Sequence, residues 1–498
     1  LTFITQNIQT MKNIDNIIIR MYNTGSVGDC FLLLFQKDAQ TTFSMLIDCG
    51  GYKTKKELIS KCVQDIKDSI VNNTIDLVVI THEHEDHVSG FNQARTIFDN
   101  ITFNQVWMSW AENESDSLAK KLFAEKGKKI KALQALLKKN LGDVESEIKK
   151  GVKQNGFRRS LKLRQNILKD ALDALDFEDI KSLGSPGVRL KISDAMKYVK
   201  GKSGSKVKSK MYHKPGEVLQ MKGAEGVKFH ILGPPYDSDL HGIKNDMQHD
   251  QMYSITKRLG LLVNNFHFNA IAANSNKEVT LESPFAAKYK MDKKQEKEYT
   301  KEYYGAPSNR WRQIEYDWLD TAGELAIALT DFVNNTSLAF AIELNNQVLL
   351  FPADAQSGNW LSWHDPQVTK ELKRNGGKDA KTLLAKTVFY KVGHHGSHNG
   401  TASTSGLEMM QEGKFVAFMP LVQDKVPSQW GGSKNFPAKP LLKKLIEKTN
   451  GAIIRTDEGL ITDKAAKEER QRRLTNAQIT KLTNASKNPL FHEWVIKA

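Results

Sequence analysis

Between Thr81 and Gly90 the chain reads THEHEDHVSG, which places His82, His84, Asp86 and His87 within six residues, directly after the apolar run DLVVI (76–80). Neutral imidazole is a ligand for Zn²⁺, and imidazole combined with carboxylate suits Zn²⁺ or Mn²⁺. In an extended segment His82 and His84 point to the same side, and the turn that follows carries Asp86 and His87 to a neighbouring point. This spacing can build two adjacent metal positions. A polar loop that is His-rich by chance is the plain alternative, and four potential ligands in so short a stretch count against it. One loop cannot close two sites, so further ligands must come from other strand ends. LLFPADA (349–355) ends an apolar run in Asp354, and FYKVGHHGSHNGT (389–401) ends another in His394 and His395. Asp354 would bridge two cations; its bland role would be a turn or helix cap. Two divalent cations sharing a carboxylate bring a bound water toward ionisation near neutral pH and polarise the bond it attacks, so the expected chemistry is hydrolysis by a metal-bound hydroxide.

Several residues stand around this set. Asp29 and Asp48 fall at strand ends on the same expected edge, and Asp48 could orient a ligating histidine, although a turn-stabilising role serves either Asp equally well. His398, on the Gly-rich loop past His394 and His395, is a candidate to protonate a leaving group, against the ordinary reading of a solvated loop histidine. Gly201–Lys202–Ser203 looks like the end of a phosphate-binding loop, but position 196, where the pattern needs Gly, is Met196, and no strand precedes it.

The elements that must position these groups are legible as short β-rich runs bounded by Gly, Asn or Asp. IIIRMY (17–22), CFLLLF (30–35), FSMLID (43–48), DLVVI and NQVWMSW (104–110) form a first half, with a helix-like 54–70 among them. A strand returns near GVKFHILGPP (226–235), and SLAFAIEL (337–344), QVLLFPAD (347–354), TVFYKVG (387–393), FVAFMP (415–420) and AIIRT (452–456) form a second half. Helix-like 365–374, 379–386, 404–412 and 437–449 interleave with these. Two β-rich halves with helices between them predict an α/β sandwich with helices on both outer faces.

The 498-residue chain is long enough for one large domain with insertions or for several, and its ordinary globular composition excludes a disordered, collagenous or disulfide-stapled protein. Three cysteines, Cys30, Cys49 and Cys62, fit a reducing compartment, and the absence of a membrane span or a signal-like N-terminal layout adds to the expectation of a cytoplasmic protein with no membrane partner. The formal charge of +15 is clustered: residues 113–217 hold 26 Lys and Arg against 13 Asp and Glu. That predicts a domain order of 1–110 (first half of the fold), 111–217 (a basic, mainly helical insertion), 218–461 (second half, interrupted at 236–325) and 462–498 (a basic, exposed tail). The Lys, Gly and Ser-rich end of the insertion, 197–210, reads as a mobile loop. Its Lys200, Lys202, Lys206, Lys208 and Lys210 are the candidate contacts to a polyanion.

The order of HxHxDH after a strand, a strand ending in Asp and a strand ending in His resembles the metallo-β-lactamase fold hydrolases over 17–110 and 226–461. The likeness is closer to the hydrolase domain of bacterial competence DNA-uptake channel proteins. Its motifs are GSVGDCFLLL (25–34), MLIDCGG (45–51), NNTSLAFAI (334–342), VGHHGSHNGT (392–401) and NFPAKPLLKKLIEKTNGAIIRTDEG (435–459). The resemblance implies a four-layer αββα fold with a binuclear centre of Zn²⁺ or Mn²⁺ at one edge. His82 and His84 would hold one metal, Asp86 and His87 the other, with Asp354 bridging and His394, or less favourably His395, completing the second. Where the superfamily has a further His upstream of the bridging Asp, this chain has Asn334 and Asn335, so an Asn carbonyl or water would take that place. Where the competence-like domains have a His before Pro, it reads Asn435–Phe436–Pro437.

The fold hosts many hydrolytic activities, so the surroundings of the site must choose among them. The leading expectation is a phosphodiesterase or nuclease acting on nucleic acid, with the basic insertion guiding the polyanion. The alternatives are a small-molecule or cell-wall ester hydrolase, with the insertion a solvated helical cap, and a non-catalytic binding subunit with a degenerate metal site.

Overall fold

The computed structural model describes residues 13–149, 192–202, 210–237, 333–427 and 432–498, with scattered residues between these segments and partial side-chain detail in 127–149. Two compact units divide the chain: Leu1–Ala119, Gly187–Lys257 and Val333–Ala498 form the first, and Lys120–Pro186 and Arg258–Phe332 the second.

The first unit holds two sheets. The first sheet has the order β15-β1-β2-β3-β4-β5-β6. Its strands are β1 (Asn16–Tyr22), β2 (Phe31–Lys37), β3 (Gln40–Ile47), β4 (Thr74–Val79), β5 (Thr102–Ser109), β6 (Tyr212–His213) and β15 (Phe491–Lys497). The second sheet runs β14-β13-β12-β11-β10-β9-β8-β7. It is built from β7 (Val218–Leu219), β8 (Val227–Ile231), β9 (Phe340–Leu344), β10 (Gln347–Phe351), β11 (Thr387–Lys391), β12 (Val416–Met419), β13 (Ile453–Arg455) and β14 (Gly459–Leu460).

Alternation along the strands builds the layers, because successive side chains leave opposite faces of a sheet. In β2, Phe31, Leu33 and Phe35 enter the core between the sheets, together with Leu349 and Phe351 of β10 and Phe389 of β11. Leu32 and Leu34 face the other way, into a core shared with Ile59, Cys62, Val63 and Ile66 of α1 (Lys56–Ser69), Phe91 of α2 (Glu85–Gln93) and Phe98 of α3 (Arg95–Phe98). Val348 and Leu350 of β10 likewise face Trp360, Leu372, Leu383 and Leu441. All four belong to helices that cover the second sheet. The result is the expected αββα sandwich.

The second unit contains most of α4 (Ser117–Lys149), whose Leu133, Leu137 and Val144 are buried. The other excursion, 236–325, lies for most of its length outside the described residues. None of the described helices is long and apolar enough to cross a membrane.

Three segments differ from the sequence reading. The stretch 404–412 is a turn with one short 3₁₀ segment, Leu407–Met409: the Leu407 and Glu408 amides donate five residues back to the Ala402 and Ser403 carbonyls, at 2.8 and 3.0 Å, across Gly406. The loop foreseen over 197–210 begins instead as the end of a helix, α5 (Ile192–Lys202), which buries Ile192, Ala195, Met196 and Val199, and 203–209 lie outside the described residues. Finally, the sequence after Thr462, read as a basic, exposed tail, is part of the fold at its end. It forms α-helices at Lys464–Arg473 and Asn476–Asn484 and then β15, which pairs antiparallel with β1 along its full length, from Asn16 with Lys497 to Tyr22 with Phe491. Its basic composition misled because Phe491, Trp494 and Ile496 are widely spaced among polar residues, as an edge strand allows. Removing 489–498 should strip the buried Phe491 and Ile496 from the sandwich, a loss of about 3–6 kcal/mol at roughly 1.5–3 kcal/mol per buried large apolar side chain. Urea unfolding checks this, and a truncated chain with the parent's midpoint would contradict it.

Candidate metal centre

The site lies beyond the C-terminal ends of the parallel strands, where β3, β4, β10, β11 and β12 release the chain. Asp48 follows β3, Thr81 and His82 follow β4, Asp354 follows β10 and His395 follows β11. Non-glycine backbone takes left-handed values at Asp48 (φ 53°), Ala353 (φ 53°), His394 (φ 45°) and His395 (φ 50°). These conformations cost energy, and their clustering at one edge is the pattern of a site whose geometry is imposed by the surrounding fold.

The first turn of α2 carries Asp86 and His87 and is clamped against two loops. The Asp29 amide donates to the Asp86 carbonyl at 3.0 Å, and the Cys49 amide to the His87 carbonyl at 2.8 Å. Contact is so close at Gly50 that an added Cβ would stand 2.5 Å from the Asp86 carbonyl carbon and 2.6 Å from the His87 nitrogen. The GDC and DCGG motifs thus act on the site through backbone packing.

Four groups converge. One ligand atom each from Asp86, His87, Asp354 and His395 lies within 4.8 Å of all the others, and all four residues are buried. His395 Nε2 is 3.0 Å from Asp86 Oδ2 and 3.3 Å from Asp354 Oδ2, while His87 Nε2 is 3.1 Å from Asp354 Oδ2 and 3.8 Å from Asp86 Oδ2. The other nitrogen of each ring is held. His395 Nδ1 donates to the Pro420 carbonyl at 2.8 Å, and His87 Nδ1 donates to Asp48 Oδ2 at 2.8 Å. Because Nδ1 is the donor in both, each neutral ring presents its Nε2 lone pair to the cluster, as metal-ligating histidines do.

His82 and His84 stand beside this cluster, the His82 ring 4.1 Å centroid to centroid from that of His87. The Thr81 hydroxyl donates to Asp48 Oδ2 at 2.6 Å, so it accepts from His82 Nδ1 at 3.1 Å. His82 Nε2 is then the acceptor facing His84 Nδ1 at 2.9 Å.

The residues fit a divalent cation. Four ligands about 2.0–2.1 Å from a tetrahedral ion stand about 3.3 Å from one another, close to the spacings of His395 and His87 to the two carboxylates. Asp86 Oδ1 and Asp29 Oδ1 are buried without a hydrogen-bond partner. The charges agree: Asp29, Asp48, Asp86 and Asp354 are four buried carboxylates, and Lys391 is the one buried ammonium among them. Protons answer that negative charge when no cation does. Burial opposes a charged His395, but Asp354 and Asp86 outweigh it and push its pKa up to about 10. His87 is also raised well above the usual range, against burial, by Asp354, Asp86 and Asp48. Burial, His87 and His84 hold His82 well below it.

Other residues named from the sequence are placed differently. The turn at His394–His395 reverses the chain, so His395, not the favoured His394, reaches the carboxylates. His394 instead has Nδ1 3.2 Å from Asn399 Oδ1 and Nε2 3.3 Å from Asn334 Nδ2. Asn335 Oδ1 accepts from the Gln356 amide at 3.1 Å and the Asn359 amide at 3.3 Å, so its oxygen is occupied by backbone and is not turned to a metal. Asn334 keeps its side-chain oxygen buried without a hydrogen-bond partner. His398 is half-buried on the same loop and outside the four-residue cluster. Lys200 and Lys202 are not on a free loop: Lys200 Nζ donates to the Glu112 carbonyl at 3.2 Å, and Lys202 Nζ donates to the Phe98 carbonyl and, at 2.7 Å, the Ile101 carbonyl. Lys210 pairs with Glu217. Lys206 and Lys208 lie outside the described residues.

Lys391 escaped the sequence reading. Its ammonium is buried between Asp29 Oδ2 at 2.6 Å and Asp354 Oδ1 at 3.2 Å and donates to the Ala353 carbonyl at 3.0 Å. The available signal was a lysine closing the apolar strand TVFYK just before the His pair. Thr81, which holds both Asp48 and His82, was the other residue missed.

No curated protein matches the chain. Residues 24–105, the stretch that supplies Asp29, Asp48 and the whole His82–His87 run, match the model of the metallo-beta-lactamase superfamily, which supports reading the buried His and Asp cluster as the divalent-metal site of a hydrolase.

Proposed function

We propose that the protein is a metal-dependent phosphodiesterase that cuts nucleic acid, similar in its motifs to the hydrolase domain of competence DNA-uptake channel proteins. The observation that supports the metal-dependent part is the convergence of Asp86, His87, Asp354 and His395, the first two of which lie within the stretch that matches the superfamily model. Zn²⁺ or Mn²⁺ held there, with a second ion at His82 and His84, would supply an activated water and take up charge developing on the phosphoryl oxygens. The chain's own residues fix the geometry. Asp48 and the Pro420 carbonyl hold the two imidazoles in their ligating tautomers, and Lys391 keeps one oxygen of Asp354 turned aside so that the other faces His87 and His395. His398 is the candidate proton donor to the leaving oxygen. An ester hydrolase of the same fold is the second reading, favoured by the intramolecular engagement of Lys200 and Lys202, which removes two of the cations expected to guide a polyanion.

The test is a cleavage screen on bis(p-nitrophenyl) phosphate, p-nitrophenyl acetate, DNA and RNA, after chelation and after return of Zn²⁺ or Mn²⁺. Cleavage of the phosphodiesters that chelation abolishes and metal restores is expected. Turnover of the acetate alone would establish the second reading.

A further inference from the structure

A cavity of about 550 Å³ adjoins the loop that carries His395. The two share backbone: His395 Nδ1 donates to the Pro420 carbonyl, the Ala438 amide donates to the Gly396 carbonyl at 2.9 Å, and Gly396 packs on Pro437 and Met419, which line the cavity. Lys434, Lys439, Lys443, Arg455, Glu458 and Asp463 also line it. The charged groups sort into two kinds. Arg455 is neutralised by Asp457 at 2.5 Å and Glu458 at 3.1 Å, and Asp463 caps the helix Lys464–Arg473 by accepting from the Ala466 amide. Lys434, Lys439 and Lys443 are exposed and have no carboxylate partner among the described residues.

We infer that this cavity is a phosphate subsite that holds the backbone of a nucleic-acid strand whose scissile bond lies at the metal centre. The inference rests on the phosphodiesterase reading and deepens it. Four cationic side chains against two anionic ones line one concavity, and three of the cations are ammonium groups without an ion-pair partner among the described residues, a balance that favours a polyanion over a neutral or apolar ligand. Lys439 and Lys443 stand one helical turn apart on the helix Lys439–Thr449, about 6 Å along its axis, an interval suited to neighbouring phosphates. Phe436, buried at the cavity wall, offers an apolar floor to the sugars. Recognition of this kind is blind to sequence, because phosphate contacts position a strand without reading its bases.

The experiment uses the full chain and the variant Lys434→Ala/Lys439→Ala/Lys443→Ala. A control variant, Lys61→Ala/Lys370→Ala/Lys381→Ala, loses the same charge from exposed lysines elsewhere. Binding of fluorescein-labelled single-stranded DNA and RNA 30-mers is read by anisotropy in chelator at several KCl concentrations, and turnover of bis(p-nitrophenyl) phosphate is read with metal. The cavity variant should bind at least about tenfold more weakly at low salt. The slope of log K against log salt should shrink by roughly 2, since each lost phosphate contact on a single strand removes about 0.7. The control should keep the parent's slope, and all three proteins should turn over the small diester within about twofold of one another. A parental slope in the cavity variant, or an equal loss in the control, overturns the subsite while leaving the phosphodiesterase reading intact. A parent that neither binds the strands nor cleaves the small diester overturns both, and DNA against RNA identifies the preferred backbone.

Discussion

Asp86→Ala should abolish hydrolysis in a chain that remains folded. The carboxylate lies 3.0 Å from His395 Nε2 and 3.8 Å from His87 Nε2, so its loss opens the cluster at a ligand rather than at an outer support. Outer partners of metal sites cost about 10–100-fold in affinity when removed, and a ligand should cost more. The fold should survive because the contact that clamps α2 is made by the Asp86 carbonyl, which accepts from the Asp29 amide and remains in alanine. Removing one of four crowded carboxylates also relieves repulsion. Metal content by elemental analysis should drop while the circular dichroism spectrum and thermal midpoint stay near the parent's. Near-normal turnover, or parental metal content, would take Asp86 out of the centre.

Lys391→Met should have the larger effect on stability. The ammonium is 1 % exposed and its pKa is raised, burial being outweighed by Asp29 and Asp354. Breaking one side of a buried ion pair costs about 3–5 kcal/mol, because the partner is left charged without compensation. Here two carboxylates are left so. In urea with chelator the midpoint should fall accordingly, and Asp29→Asn added to the variant should restore part of the loss. Saturating Zn²⁺ should restore part as well, since a cation beside Asp354 answers the same charge. A single variant within about 1 kcal/mol of the parent in chelator would mean that Lys391 is not the counter-ion of this site.

The layers of the fold were readable where burial follows a simple period. β2 and β10 alternate between two apolar cores, and a run such as FLLLF can serve only a strand covered on both faces. The His82–His87 run and Asp354 were readable because ligands cluster at strand ends. The choice between His394 and His395 was not, since it depends on two consecutive left-handed residues, a conformation that histidine tolerates singly but that no sequence pattern announces for a pair. Lys391 was hidden for a related reason: a lysine at a strand end is ordinarily solvated, and only the approach of Asp29 from the other sheet makes it a buried counter-ion. In the Lys-rich stretch, composition could not tell that Lys200 and Lys202 sit on a helix and donate to nearby carbonyls.

The pairing of β15 with β1 has a consequence for biosynthesis. Residue 16 finds its neighbour at residue 497, so the ribosome must add about 480 residues before β1 has a partner on that side. At about 5–20 residues per second this takes roughly half a minute to a minute and a half. Through that interval β1 holds β2 on one edge and offers unpaired amides and carbonyls on the other, the arrangement most prone to capture a strand from another chain. A nascent protein of this topology depends on being shielded until β15 emerges. Slowing or stalling translation late in the message should therefore raise aggregation more than the same delay placed before β1 is complete.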